Sequence, residues 1–284
     1  MSTVITPFQG TDPFSTATFN NRISQINTGF SYISNPNLLD NWYFGNPVNQ
    51  RGQTSYTGVG YGIDRWKILT DSATLAISND GITLRRNGGD QWLLAEQMEP
   101  FIVTNLMGKH FTASVLTTQG LVVLDVPSAF ASETSITDPT GVCVWVNTTG
   151  IVLFGTINDS MIPIAAKLEL GSQQTLAHQD GDGNWVLNEA PDYGEQLARC
   201  QRYCVAFNQN DTFLPIDTTD FIVELPCPMR TSPTIINPGN ITNATNPTVA
   251  WYNVGSNQLR LRSTTMHNNA RAVCSGLVLF SADL

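Results

Sequence analysis

What most constrains the fold is a rhythm of short apolar alternations, broken at near-regular spacing by clusters of Gly, Asn, Asp and Pro. Successive side chains of a strand point to opposite faces, so period-two segments between turn signals read as half-buried strands. Residues 72–78 and 81–86 flank Asn79-Asp80-Gly81, whose Asp-Gly pair is a hairpin signal. Residues 92–98 follow the Asn87-Gly88-Gly89-Asp90 turn, and residues 110–116 place Phe111, Ala113 and Val115 on one face. Val142, Val144 and Val146 share a face opposite Cys143 and Trp145, while Ile164, Ala166, Leu168 and Leu170 alternate just before Gly171. About eight such strands, with no long helix between them, predict a β-sandwich over residues 37–171.

Composition points the same way. Only 13% of the 284 residues are charged, and 22 Gly and 15 Pro supply turns, which suits an all-β chain. The 14 basic and 23 acidic side chains give a net charge of −9 with no basic run, which disfavours nucleic acid and an anionic membrane surface as partners. No apolar run approaches the ~20 residues that span a bilayer, so no membrane insertion is expected. The opening residues MSTVITPFQGTDPF have neither a basic nor an apolar signal region, so no secretory signal is expected. Five cysteines without a CxxC pair argue against a disulfide framework and a zinc site. Cys200 and Cys204, at helical spacing, read as buried thiols rather than a bridge.

Two segments read as helix. Over residues 15–34, Phe19, Ile23, Ile26, Phe30 and Ile33 form a narrow stripe at alternating spacings, with Ser15 or Thr16 as a cap and Asn35-Pro36 as a stop. So short a helix is marginal alone, and its stripe must pack on the chain's own domain, on copies of itself or in a partner's groove. Residues 193–204, YGEQLARCQRYC, place Leu197, Cys200 and Cys204 on one face. The last 80 residues return to β, with strands expected at 221–225, 249–252, 259–262 and 272–282.

Catalytic constellations are lacking. His110, His178 and His267 stand far apart, and no nucleophile elbow, zinc-protease or phosphate-loop motif occurs. The Gly58, Gly60 and Gly62 run lacks the dinucleotide spacing and reads as loop. Glu96 and Glu99 are too generic to assign as a glycosidase pair. Asp180, Asp182 and Asn184 have the oxygen spacing of a calcium loop, but Trp185 replaces its turn glycine and Pro191 its terminal Glu, so a solvated hairpin turn is the better reading. No metal or cofactor is expected. Sugar recognition stacks an aromatic face on a pyranose ring and meets its hydroxyls with amides and carboxylates. Asp90 with Trp92, Asp182 and Asn184 with Trp185, and Trp251 with Tyr252 offer that mixture. Trp92 and Trp251 also read as core, because they begin or lie within strands. The loops at 237–248 and 264–270, rich in Asn and Thr, offer a polar surface or ordinary turns.

Several segments carry a resemblance. Asn37-Leu38-Leu39-Asp40-Asn41 before an aromatic, NPVNQRG at 46–52, and Asp64-Arg65-Trp66 resemble the opening of the carbohydrate-binding-module-like jelly roll of phage and prophage tail proteins. Residues 166–171, AKLELG, look like its closing strand. Residues 193–204 resemble the YGEELALCQRYY helix that follows such domains in tail-fibre proteins, with Cys204 and Val205 where aromatics are usual. Residues 226–234 are similar to a P-x-P-M-R-x-x-P-T segment of the same proteins, and the Phe280-Ser281-Ala282-Asp283-Leu284 ending fits them. The resemblance implies a non-enzymatic tail-fibre or receptor-binding protein of the virion, made in the host cytoplasm and presenting β domains to bacterial surface glycans. It implies an N-terminal attachment and oligomerisation segment (1–35) joining other virion proteins as a homotrimer. A jelly roll (36–176), a linker with helix (177–204) and a small C-terminal β domain (205–284) would follow. A decoration or adaptor protein is the alternative, and a polysaccharide depolymerase a third, which lacks an acidic pair or nucleophile here.

Overall fold

A computed structural model describes residues 34–265 and 270–283. The predicted N-terminal helix with Phe19, Ile23, Ile26, Phe30 and Ile33 lies outside the described residues, as does His267. The fold is all-β: a jelly-roll sandwich followed by a second, smaller β unit.

The first unit comprises β1 (Ser55–Thr57), β2 (Gly60–Tyr61), β3 (Lys67–Ile68), β4 (Ala73–Ser78), β5 (Gly81–Arg86), β6 (Trp92–Gln97), α1 (Pro100–Leu106), β7 (Phe111–Thr117), β8 (Gly120–Val126), β9 (Thr134–Thr137), β10 (Val142–Val146), β11 (Ile151–Thr156), β12 (Ser160–Met161) and β13 (Pro163–Leu170). The hairpin β14 (Ala177–Gln179) and β15 (Trp185–Leu187) leads to α2 (Tyr193–Gln201). The second unit holds β16 (Cys204–Phe207), β17 (Thr212–Pro215), β18 (Asp220–Glu224), β19 (Thr234–Ile236), β20 (Ile241–Thr242), β21 (Thr248–Tyr252), β22 (Gln258–Arg262), β23 (Ala272–Cys274) and β24 (Val278–Ser281).

In the first unit the sheets run β1-β4-β5-β12, β2-β3-β6-β11-β10-β9 and β13-β7-β8, all antiparallel. The Asp-Gly hairpin forms as expected: β4 and β5 pair with Ser78 opposite Gly81, and Gly81 takes the left-handed φ of 103° that its turn requires. Alternation is explained by burial, with Val142, Val144 and Val146 in one core with Phe111, Ala113, Val115 and Trp66. Trp66 is wholly buried, edge-on to Phe44 at 5.2 Å, and its indole N–H donates to the carbonyls of Asp40 and Asn41. The strand β13 departs from simple alternation: Lys167 and Glu169 are buried beside Ala166 and Leu168, and Leu170 is exposed. The Lys167 ammonium donates to Ser34 Oγ (2.6 Å), and Glu169 accepts the N–H and hydroxyl of Thr175, so both polar groups are satisfied inside.

The second unit has its own core, built on Phe213, Phe221, Val223, Leu259, Leu261 and Phe280. Its sheets run β16-β24-β19 and β20-β23-β17-β18-β22-β21. Two sequence expectations shift here. The terminal strand is broken into β23 and β24, and α2 ends at Gln201, so Tyr203 and Cys204 leave the helix and Cys204 opens β16. Asp192 caps α2 by accepting the Glu195 N–H (3.1 Å), and Gln196 and Cys200 are its buried residues.

The segments singled out in sequence meet at one place between the two cores. Arg65 stacks on the Tyr203 ring at 3.6 Å, pairs with Asp40 (3.1 Å) and Glu96 (3.2 Å), and donates to the Gln97 carbonyl. Arg199 of α2 reaches Asp40 (2.7 Å), and Tyr203 donates its hydroxyl to Glu99. Gln50 brackets the edge of β16 through Cys204 O and Ala206 N–H, and Arg51 pairs with Asp283 near the chain's end. Arg230 donates to the Ala282 carbonyl. These motifs therefore build an interdomain clamp, and Asp40, Arg65, Glu99, Arg199 and Tyr203 also line a small cavity of about 120 Å³ there.

Candidate functional site

An open depression lies on the outer face of the six-stranded sheet of the second unit. Inward residues of β18 and β22 (Phe221, Val223, Leu259, Leu261) form the core, which leaves Ile222, Gln258, Arg260 and Arg262 outward by the period of the strand. Trp251 would point inward if β21 alternated regularly from Val249, which packs on the core. It does not, because the register slips between Val249, opposite Leu261, and Trp251, opposite Arg260. Ala250 is the extra residue of a β-bulge, and the bulge turns the indole outward. Trp251 is 54% exposed, against the core reading of its sequence position. With Ile216, Ile222, Ala250, Gln258, Leu259, Arg260 and Arg262 it lines a groove of about 500 Å³.

The polar wall is preorganised. Buried Asp220 accepts two N–H groups from Arg262 (2.8 and 3.0 Å) and also pairs with Arg260. Arg260 further donates to Asp217 (2.9 Å), and Gln258 donates its amide to Glu224 (2.7 Å). Asp217 is pushed down to about 2 by the N–H groups of Thr219 and Asp220, and hydrogen bonding from Arg262 holds Asp220 below the usual carboxylate range. The wall thus combines fixed donors and acceptors beside an exposed indole and the apolar side chain of Ile216, an arrangement that can hold hydroxyls and C–H faces together.

The sequence-selected aromatics fall on three different sheets. Trp251 lies in the groove, whereas its neighbour Tyr252 turns toward the core and donates its hydroxyl to the Met229 carbonyl (2.8 Å). Trp92 is half-buried against Trp145 (5.7 Å), and Asp90 accepts the Trp92 N–H (3.3 Å). Trp185 stands at the β14–β15 hairpin at 37% exposure. There Asp180 Oδ1 accepts the N–H groups of Asp182 and Asn184, which lowers the Asp180 pKa and makes this carboxylate a turn organiser. Among the described residues no three His, Cys, Asp or Glu side chains gather as metal ligands. Glu96 is wholly buried and accepts the Asp40 N–H, and burial pushes its carboxyl up to about 8. Sequence reasoning missed Ile216, Asp217, Asp220, Ile222, Gln258, Arg260 and Arg262. The alternation Gln258-Leu259-Arg260-Leu261-Arg262 was the signal for a charged outer face.

The chain matches no protein-family model, and searches of curated proteins and of solved structures return no similar protein.

Proposed function

We propose that this chain is a non-enzymatic virion protein of the phage tail-fibre or receptor-binding type, which presents its β domains to bacterial surface glycans. The observation that carries the reading is Trp251, an indole turned out of its strand at a bulge and set in a groove lined by Arg260 and Arg262, which Asp217 and Asp220 hold in place. Trp251 and Ile216 are exposed together in this groove beside charged side chains, and apolar surface rimmed by polar residues is the kind that marks an interaction site. A binding role is favoured over hydrolysis because Asp217 and Asp220 are tied into ion pairs and held ionised, so neither is poised as a general acid near neutral pH. In this reading the N-terminal segment with Phe19, Ile23, Ile26, Phe30 and Ile33 makes the homotrimer and joins other virion proteins, and three copies raise avidity for weak single sites.

The test is binding of the full-length protein, fluorescently labelled, to bacterial cells and arrayed surface glycans, with its mass measured by light scattering. Saturable binding by an assembly of three copies is expected. A chain that binds neither cells nor glycans, yet copurifies with particles, would transfer the reading to an adaptor or decoration protein. Phe101 and Met107, exposed on and just after α1, are the apolar contacts that such a protein would use.

A further inference from the structure

Resting on the glycan-binding reading above, we propose that the Trp251 groove takes an electrically neutral, hydroxyl-rich saccharide, laid across the strands as a short oligosaccharide, and discriminates against acidic sugars.

The first ground is charge. The cations of the wall, Arg260 and Arg262, are already matched by Asp217 and Asp220, all within ion-pair distance. Glu224, bonded to Gln258, adds a third carboxylate on the same face. A uronate or a phosphate-bearing sugar would have to displace Asp220 from Arg262, and Asp220 is buried and cannot withdraw into solvent. It would also face two further carboxylates on a chain of net charge −9. A neutral hydroxyl costs none of this. It can donate to or accept from an ion pair without breaking it, and pairing fixes the donors in place beforehand. Arg262 donates Nε and Nη2 to Asp220, while Arg260 donates Nη2 to Asp217 and holds its Nε in ion-pair contact with Asp220. That leaves Nη1 of each, the Gln258 carbonyl oxygen and the second oxygen of Glu224 to meet hydroxyls.

The second ground is shape. Leu214 lies opposite Ile222, Ile222 opposite Arg260, and Arg260 opposite Trp251, so one continuous row crosses four strands. Three inter-strand steps make this row about 14 Å long, which suits a short stretch of sugar chain better than a single ring. Leu214, Ile216 and Trp251 are all exposed along it and offer apolar surface to the C–H faces of the rings.

The test is calorimetric or saturation-transfer binding of full-length protein to matched panels of neutral hexose oligosaccharides and uronate-containing oligosaccharides. The neutral panel should bind at least about tenfold more tightly, and its Kd should change by less than roughly twofold between low and physiological salt. Trp251→Ala, at an exposed site, should keep the native circular dichroism and abolish binding, and Asp217→Asn, by removing one of the two carboxylates that pair with Arg260, should narrow the preference. Acidic sugars binding equally well or better, with strong salt dependence, would overturn the proposal and leave the glycan reading standing. Neutral binding that survives Trp251→Ala would overturn the groove assignment alone. Failure of every saccharide would remove both, and an oligomer that dissociates on Trp251→Ala would make this face a contact between copies instead.

Discussion

Replacing Arg65 by Met should unlatch the two cores. Arg65 sits 1% exposed at its side chain, in the left-handed region at φ 71°, between Asp40, Glu96, the Gln97 carbonyl and the Tyr203 ring. Burial opposes its charge, yet Glu96, Tyr203 and Asp40 outweigh burial and raise its pKa. Met keeps an unbranched, uncharged stem and bears the same backbone strain, so the substitution chiefly removes the charge, the hydrogen bonds and the ring stacking. Breaking a buried pair by removing one partner costs about 3–5 kcal/mol. For units of this size that is a fall in Tm of roughly 6–20 °C. Glu96 provides an internal check. Its pKa of about 8 in the presence of Arg65 must rise further without it, so at pH 5.5 it is neutral in both proteins and only stacking, Asp40 and Gln97 are lost. The loss should therefore be about half as large at pH 5.5 as at pH 8.5. Urea denaturation followed by tryptophan fluorescence, with Trp66 next in sequence as reporter, measures both. Arg65→Met/Glu96→Gln should recover part of the loss at pH 8.5. A loss below about 1 kcal/mol, or one equal at both pH values, would refute the coupling.

Deleting Ala250 removes the extra residue but leaves Trp251 next to the inward Val249 and opposite Arg260, so the indole should stay outward and saccharide binding should persist while circular dichroism stays β; loss of binding would show that the groove needs the bulge itself. Between pH 4.5 and 8 thermal stability should decline as pH rises. Burial raises Asp64 to about 6 and Glu96 to about 8, so the folded state holds protons that the unfolded chain has released. Glu96→Gln should flatten that slope, and a profile identical in the variant would exclude Glu96 as its source. Below pH 4 the sign reverses, because Asp217 and Asp220 are held below their ordinary values and lose their stabilising pairs when protonated. Gly155→Ala should destabilise by about 2–4 kcal/mol, because a Cβ there would collide with the Gln91 carbonyl oxygen while β11 bulges past β6; a thermal melt within a degree of the parent would contradict that close approach.

How much of this was legible in the chain can be seen strand by strand. Alternation and turn chemistry are local, so the β4–β5 hairpin, the Val142-Val144-Val146 face, the β18 and β22 strands and the Asp180 turn could all be read from residues alone. The all-β class followed from the same signals and from low charge. Other features depended on partners distant in sequence. Lys167 and Glu169 are buried where Ser34 and Thr175 satisfy them, and Tyr203, just past the end of α2, is held by Arg65 and Glu99 across the interface. The bulge at Ala250 adds one residue against β22, a register that exists only once both strands are paired, and one residue is enough to move Trp251 from core to solvent. The sequence by itself determined where most of the strands lie and which aromatics stand beside amides and carboxylates in the chain. Only the tertiary structure decided which of those aromatics faces outward beside Arg260 and Asp220, because register and long-range ion pairing are properties of the assembled sheet and not of any one strand.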